Sequence, residues 1–136
     1  MKRPGHVKAG GRAGFFATPK EAEVYLARTH GVEHGGEYTQ VGRSTKDCIE
    51  VCNAVVRRFD VVVNDVAHES KLGRVNLNSS MERQIRSDAY LVQKGDIRGA
   101  HWDFFASSVS NTMGPSTPVL DLLDEMGIPY TIHVPA

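Results

Sequence analysis

The stretch Arg58-Phe59-Asp60-Val61-Val62-Val63-Asn64-Asp65-Val66-Ala67-His68-Glu69-Ser70-Lys71 decides how this chain reads. Two short apolar runs flank an Asn-Asp pair, which predicts strands at about 57–63 and 66–71 joined by a tight turn. The first strand carries Asp60 and the second ends in Glu69-Ser70-Lys71. Residues two apart on a strand face the same side. Glu69 and Lys71 therefore project together while Ser70 points away, and His68 falls on the opposite face, where a structural role is expected. If the strands pair as a hairpin, Asp60 comes close to Glu69 and Lys71.

Two carboxylates and an ammonium converging on one sheet face suit metal-dependent cleavage of a phosphodiester. A hard cation such as magnesium takes oxygen ligands and is often held by one or two carboxylates, keeping waters and substrate oxygens elsewhere. Asp60 and Glu69 supply the carboxylates, and the Ser70 carbonyl is a further candidate ligand. Such a metal lowers the pKa of a bound water and offsets charge growing on the phosphate. Lys71 is placed to orient or deprotonate the water, or to stabilise that charge. Asp65 competes with Asp60 for the first acid, but it lies in the expected turn, where Asp commonly bonds the local backbone.

Outward from this hairpin the chain alternates helices and strands. Thr18-Pro19-Lys20-Glu21 predicts a helix start, with Thr18 as cap, Pro19 in the first turn and Glu21 completing a capping box; the helix runs to about residue 28. Glu37 to Val41 alternates as a short edge strand. Residues 45–57 fit either a helix or a strand, because β-branched residues sit at helical spacing. A helix is expected over about 81–94, capped by Ser79 or Ser80 and closed by Gly95. A strand follows at 101–106, with Trp102, Phe104 and Phe105 expected in the core. A helix over about 118–126 and a last strand at 130–134 complete the order. This mixture predicts an α/β fold with a central mixed sheet flanked by helices. Residues 1–14 read as a flexible leader and 15–136 as a single domain.

The chain has 136 residues, enough for one core. Sixteen basic and sixteen acidic residues cancel, so any nucleic-acid contact must come from a local patch. No apolar run approaches a membrane span, and no secretory signal peptide is visible. Cys48 and Cys52 are four apart, which suits buried thiols on one helix face better than a disulfide framework. The histidines form no zinc-ligand array.

Arg58-Phe59-Asp60, Glu69-Ser70-Lys71 and Gln84 in the following helix together resemble the PD-(D/E)xK nuclease superfamily, with its restriction endonuclease-like fold. The resemblance implies that Asp60 and Glu69 bind magnesium or manganese, that Lys71 assists the attacking water, and that Gln84 lies beside the site. It also implies an acid from the first helix, Glu21 or Glu23, with Glu33 and Glu37 as weaker candidates. Over residues 55–136 the segments around Ala67-His68-Glu69-Ser70-Lys71-Leu72-Gly73, Gln84-Ile85, His101-Trp102-Asp103-Phe104-Phe105 and Gly127-Ile128-Pro129-Tyr130 are similar to toxin domains at the C-terminal ends of bacterial polymorphic and contact-dependent toxins. That similarity implies a domain secreted as part of a larger toxin, acting in the target-cell cytoplasm, with a cognate immunity protein as partner. The chain departs from the superfamily in lacking a Pro before the first acid.

The expected function is therefore a metal-dependent endonuclease acting on DNA or RNA, with structured RNA such as transfer RNA included. Arg74, Arg83 and Arg86 are the candidate phosphate contacts; Arg83 and Arg86 lie one helical turn apart. The alternative is a non-catalytic protein-binding or inhibitor module, in which Glu69 and Lys71 form an ordinary ion pair worth about 0–1 kcal/mol.

Overall fold

The computed structural model describes residues 14–52 and 54–135. The elements are β1 (Phe15–Phe16), α1 (Pro19–Thr29), β2 (Thr39–Ser44), a 3-10 turn (Lys46–Cys48) leading into α2 (Ile49–Cys52), β3 (Val56–Val63), β4 (Val66–Leu72), α3 (Ser79–Lys94), β5 (Gly99–Ser107), α4 (Thr117–Glu125) and β6 (Tyr130–His133). The expected leader lies outside the described residues, apart from Gly14.

The central hairpin forms as expected. Asn64 and Asp65 both take positive φ, 53° and 64°. That is the left-handed pair a two-residue hairpin turn requires, and it matches the twist of the flanking strands. β3 and β4 pair antiparallel from Val63↔Val66 to Val61↔His68. β4 then pairs in parallel with β5 along its whole length, from Val66↔Gly99 to Leu72↔Phe105. A parallel pair needs a crossover, and α3 supplies it; α4 does the same between β5 and the parallel β6. The sheet is mixed, in the order β1-β5-β4-β3-β2, with β6 sharing the outer edge of β5.

Two apolar layers cover the sheet. Ile85 and Leu91 of α3 and Val119, Leu122 and Leu123 of α4 pack with Ala67, Ala100, Trp102 and Phe104. Ala22, Tyr25, Leu26 and Ala27 of α1 pack on the other face with Phe16, Val61 and Phe105. Trp102 and Phe104 on one side and Phe105 on the other follow from the two-residue period of β5. On β3 the alternation changes phase. Phe59 packs in the α3–α4 layer, yet Val61 packs in the α1 layer and Val62 returns to the first. Asp60 stands at that change, and Gln40, at the matching place on β2, has φ 53°.

The local signals explain most boundaries. Thr18 caps α1, its hydroxyl accepting from Glu21 N at 3.2 Å, and Pro19 fills the first turn. α3 is capped by Asn78, whose Oδ1 accepts from Met81 N at 2.9 Å, not by Ser79 or Ser80, which are its first two residues. Asn is as good a cap as Ser, and it precedes both. Gly95 ends α3 at φ 89°.

Segment 45–57 is neither all helix nor all strand: it turns through α2 to Cys52 and enters β3 at Val56. The expectation of two separate thiols is corrected there. Cys48 and Cys52 are joined in a disulfide, because the 3-10 turn running into α2 brings their Cα atoms to 5.4 Å with both side chains buried. No helix among the described residues is long and apolar enough to cross a membrane.

Candidate functional site

β3 and β4 separate just beyond Val61↔His68, and the candidate site lies in that fork. The Ser70 amide donates to Asp60 Oδ2 at 2.7 Å. Asp60 therefore holds the second strand in place of a ladder partner, with its carboxylate pointing across the gap. On the α3 side of β4, Lys71 Nζ lies 3.0 Å from Glu69 Oε2 and donates to Gln84 Oε1 at 2.7 Å. The ammonium also sits 5.1 Å from the centre of the Trp102 ring. Glu69 is 7 % exposed, and its Oε1 has no hydrogen-bond partner among the described residues; Arg57 Nη2 is 3.4 Å away as an ion pair.

Beneath this group lies a buried network that sequence reasoning missed. Arg57 Nε donates to Asp88 Oδ1 at 2.7 Å, and Trp102 Nε1 donates to Asp88 Oδ2 at 2.7 Å. Asp88 is only 1 % exposed. Burial pushes its carboxyl up to about 6, against the pull of Arg57 and Trp102, so it is still ionised at neutral pH. Arg57 is itself raised: burial would lower it, but Asp88 and then Glu69 outweigh that loss. One guanidinium thus ties α3 to the inner side of Glu69.

The electrostatics single out Asp60. Burial first, and the charge of Glu69 second, push its carboxyl up to about 7, with Glu23 adding to the rise; the Ser70 amide and Lys71 pull the other way. Its neighbours reach back to α1: Gln40 Nε2 donates to Asp60 Oδ1 at 3.4 Å and to Glu23 Oε1 at 3.5 Å. Glu23, not Glu21, is the first-helix acid that faces the site. Glu21 is occupied at the helix start, its Oε1 accepting from Ala17 N at 3.5 Å. Glu33 and Glu37 are exposed in the turns after α1.

The other sequence-expected residues divide. Asp65 is in the exposed hairpin turn at the far end of the strands, where its carbonyl accepts from Arg98 N. At Ser70 the backbone atom facing Asp60 is the amide. Arg86 Nε donates to Glu82 Oε2 at 2.9 Å, and Arg74 Nε donates to Asn76 Oδ1 at 3.3 Å. Arg83 has no carboxylate partner among the described residues and lines a cleft next to Gln84. Trp102, Phe104 and Phe105 are fully buried, as expected of core residues.

His68 faces α1, as its strand position requires. It stacks on His30 with ring centres 3.9 Å apart, near the buried Asp103. His133 Nε2 lies 2.8 Å from Asp103 Oδ1, whereas His68 Nδ1 is 3.9 Å from Asp103 Oδ2, beyond hydrogen-bond reach. Burial alone would raise Asp103, but its His133 bond and the surrounding imidazoles hold it below the usual carboxylate range. His30 and His101 are lowered, in each case first by burial.

Among the described residues no three His, Cys, Asp or Glu side chains already converge as a metal cage. Asp60 and Glu69 nonetheless fit a magnesium-type ion. Both offer oxygen donors, their charges oppose each other, and such an ion needs only one or two protein carboxylates. Comparison with protein-family models, with curated proteins and with solved structures finds no match for this chain.

Proposed function

We propose that the chain is a metal-dependent phosphodiester hydrolase, and more particularly an endonuclease of restriction endonuclease-like fold that acts on DNA or RNA. The observation that carries this reading is the fork of β3 and β4. There Asp60 and Glu69 are held near enough to oppose each other's ionisation, with Lys71 fixed between Glu69 and Gln84. A purely structural ion pair has no use for the second carboxylate at that place.

In this reading Asp60 and Glu69 hold magnesium or manganese, with the backbone of Ser70 at the same point. The bound ion supplies a more acidic water and charge compensation at the phosphate. Lys71 carries the protein's part of the reaction. Gln84 and Glu69 restrain its ammonium so that it orients the attacking water or meets the negative charge that grows as the phosphorus–oxygen ester bond breaks. Arg57, anchored on Asp88, fixes the inner oxygen of Glu69 and leaves the outer one facing Lys71. Delivery as the C-terminal part of a secreted bacterial toxin, action in a target cell and neutralisation by a cognate immunity protein follow from the resemblance of residues 55–136. The second reading, a protein-binding module, draws on zero net charge and on the mutual pairing of Lys71 with Glu69.

The test is incubation of the protein with plasmid DNA and with total RNA in magnesium, manganese or chelator. Cleavage is expected only with metal, and Lys71→Ala should reduce it by roughly 10²–10⁴-fold while the fold is kept. Full activity in Lys71→Ala would sink the role given to the ammonium. A folded wild-type protein that neither takes up metal nor cleaves either polymer would favour the binding module.

A further inference from the structure

A cleft of about 410 Å³ opens between the start of β3 and the first turns of α3. Its polar lining is Arg57, Arg58, Ser80, Arg83, Gln84 and Ser87, and no carboxylate takes part in it. In a chain of zero net charge, this is a local concentration of guanidinium groups without acidic partners. Arg57 is already committed to Asp88 and Glu69. Arg58 and Arg83 have no ion-pair partner among the described residues, in contrast with Arg86, which is tied to Glu82. Gln84 connects the cleft to the candidate site. Its Oε1 accepts from Lys71, which leaves the amide nitrogen of the same side chain as a donor toward the cleft.

We propose that this cleft is a subsite for the phosphate neighbouring the one cleaved, so that the substrate is a polynucleotide backbone and not a mononucleotide. The proposal rests on the nuclease reading above. Arg58 and Arg83 are the binding groups: a planar guanidinium matches a phosphate with two parallel hydrogen bonds, and it stays charged at any working pH. Ser80, in the first turn of α3, adds a hydroxyl donor. Gln84 spans both phosphates, which couples occupancy of the cleft to the position of Lys71. The groups contact phosphate only, so DNA and RNA share this chemistry.

The experiment uses fluorescence anisotropy with labelled single-stranded DNA and RNA oligonucleotides, in chelator so that nothing is cleaved, over a range of salt. Wild type is compared with Arg58→Ala/Arg83→Ala and with Arg58→Lys/Arg83→Lys, each checked for folding by circular dichroism. Loss of two phosphate contacts should flatten the slope of log affinity against log salt by about 1.4 and weaken binding about tenfold or more at low salt. The lysine pair should keep most of the slope. The DNA and RNA arms show which backbone is preferred. Unchanged binding and slope in the folded alanine pair, with wild type still cleaving in magnesium, would overturn the subsite and leave the nuclease reading standing. Wild type that neither binds nor cleaves would overturn both.

Discussion

Asp60 concentrates the tension of the site in one side chain. Its folded value of about 7 lies above the usual 3.8 of an Asp, so folding favours its protonated form. The stability it contributes is present below about pH 4 and is lost as pH rises through 7. Asp60→Asn should therefore raise the melting temperature of the metal-free protein at pH 8, by the equivalent of ~1–3 kcal/mol, and have little effect at pH 4. The same titration predicts that cleavage rises as pH passes through about 7 and that metal uptake there releases a proton, which calorimetry in buffers of different ionisation enthalpy would detect. Asp88 behaves in the opposite sense. Asp88→Ala strands Arg57 and the Trp102 indole in the interior and should cost about 3–5 kcal/mol in urea unfolding. Asp60, Glu69, Lys71 and Gln84 were legible in the sequence because strand and helix periods bring them to one side. Asp88, Arg57 and Trp102 were not, since an Asp on a helix and an Arg on a strand look like solvated residues until burial is known. The available signal was the spacing of Gln84 and Asp88, four apart on one face of α3.

The hairpin and the three longer helices could be read from sequence because each has its own punctuation: Asn64-Asp65, Thr18-Pro19, Gly95, Pro118 and Gly127. Segment 45–57 could not, because its form depends on a covalent link and on where β3 begins, neither of which periodicity encodes. The two-residue β1 was missed for a related reason. It exists only because β5 lends it an edge, at Phe15↔Ala106 and Phe16↔Ser107. The packing of α1 on β4 and β5 carries its own pH response through His30 and His101. Both are lowered by burial, so the stability tied to their neutral forms is present above about 6.5 and is lost as pH falls through their lowered values. In an Asp60→Asn background, urea midpoints should fall between pH 7 and pH 5. His101→Asn should shrink that fall; an identical fall in the variant would assign the acid sensitivity elsewhere.

Across the whole molecule, a net charge of zero hides a polarised layout, with arginines gathered at the β3–α3 cleft and the acids Glu23, Asp60 and Glu69 at the adjoining fork. The mixed sheet and its helix layers follow from the order of elements. The strand order does not, because nothing local tells β5 that it will receive β4 on one side and both β6 and β1 on the other. The phase change on β2 and β3 has a consequence for how such a site is built. If Asp60 is struck out of β3, then Arg57, Phe59, Val62 and their neighbours fall into plain two-residue alternation. Striking out Gln40 does the same for the facing strand. The first acid is thus a supernumerary residue, a one-step bulge wedged into an otherwise ordinary pair of strands. Deleting Gln40 and Asp60 together should leave a protein that folds at least as stably as the parent, with both faces in register, and that has no chemistry left. Thermal melts and a cleavage assay on that double deletion would show whether the site is an interruption that the fold could have done without.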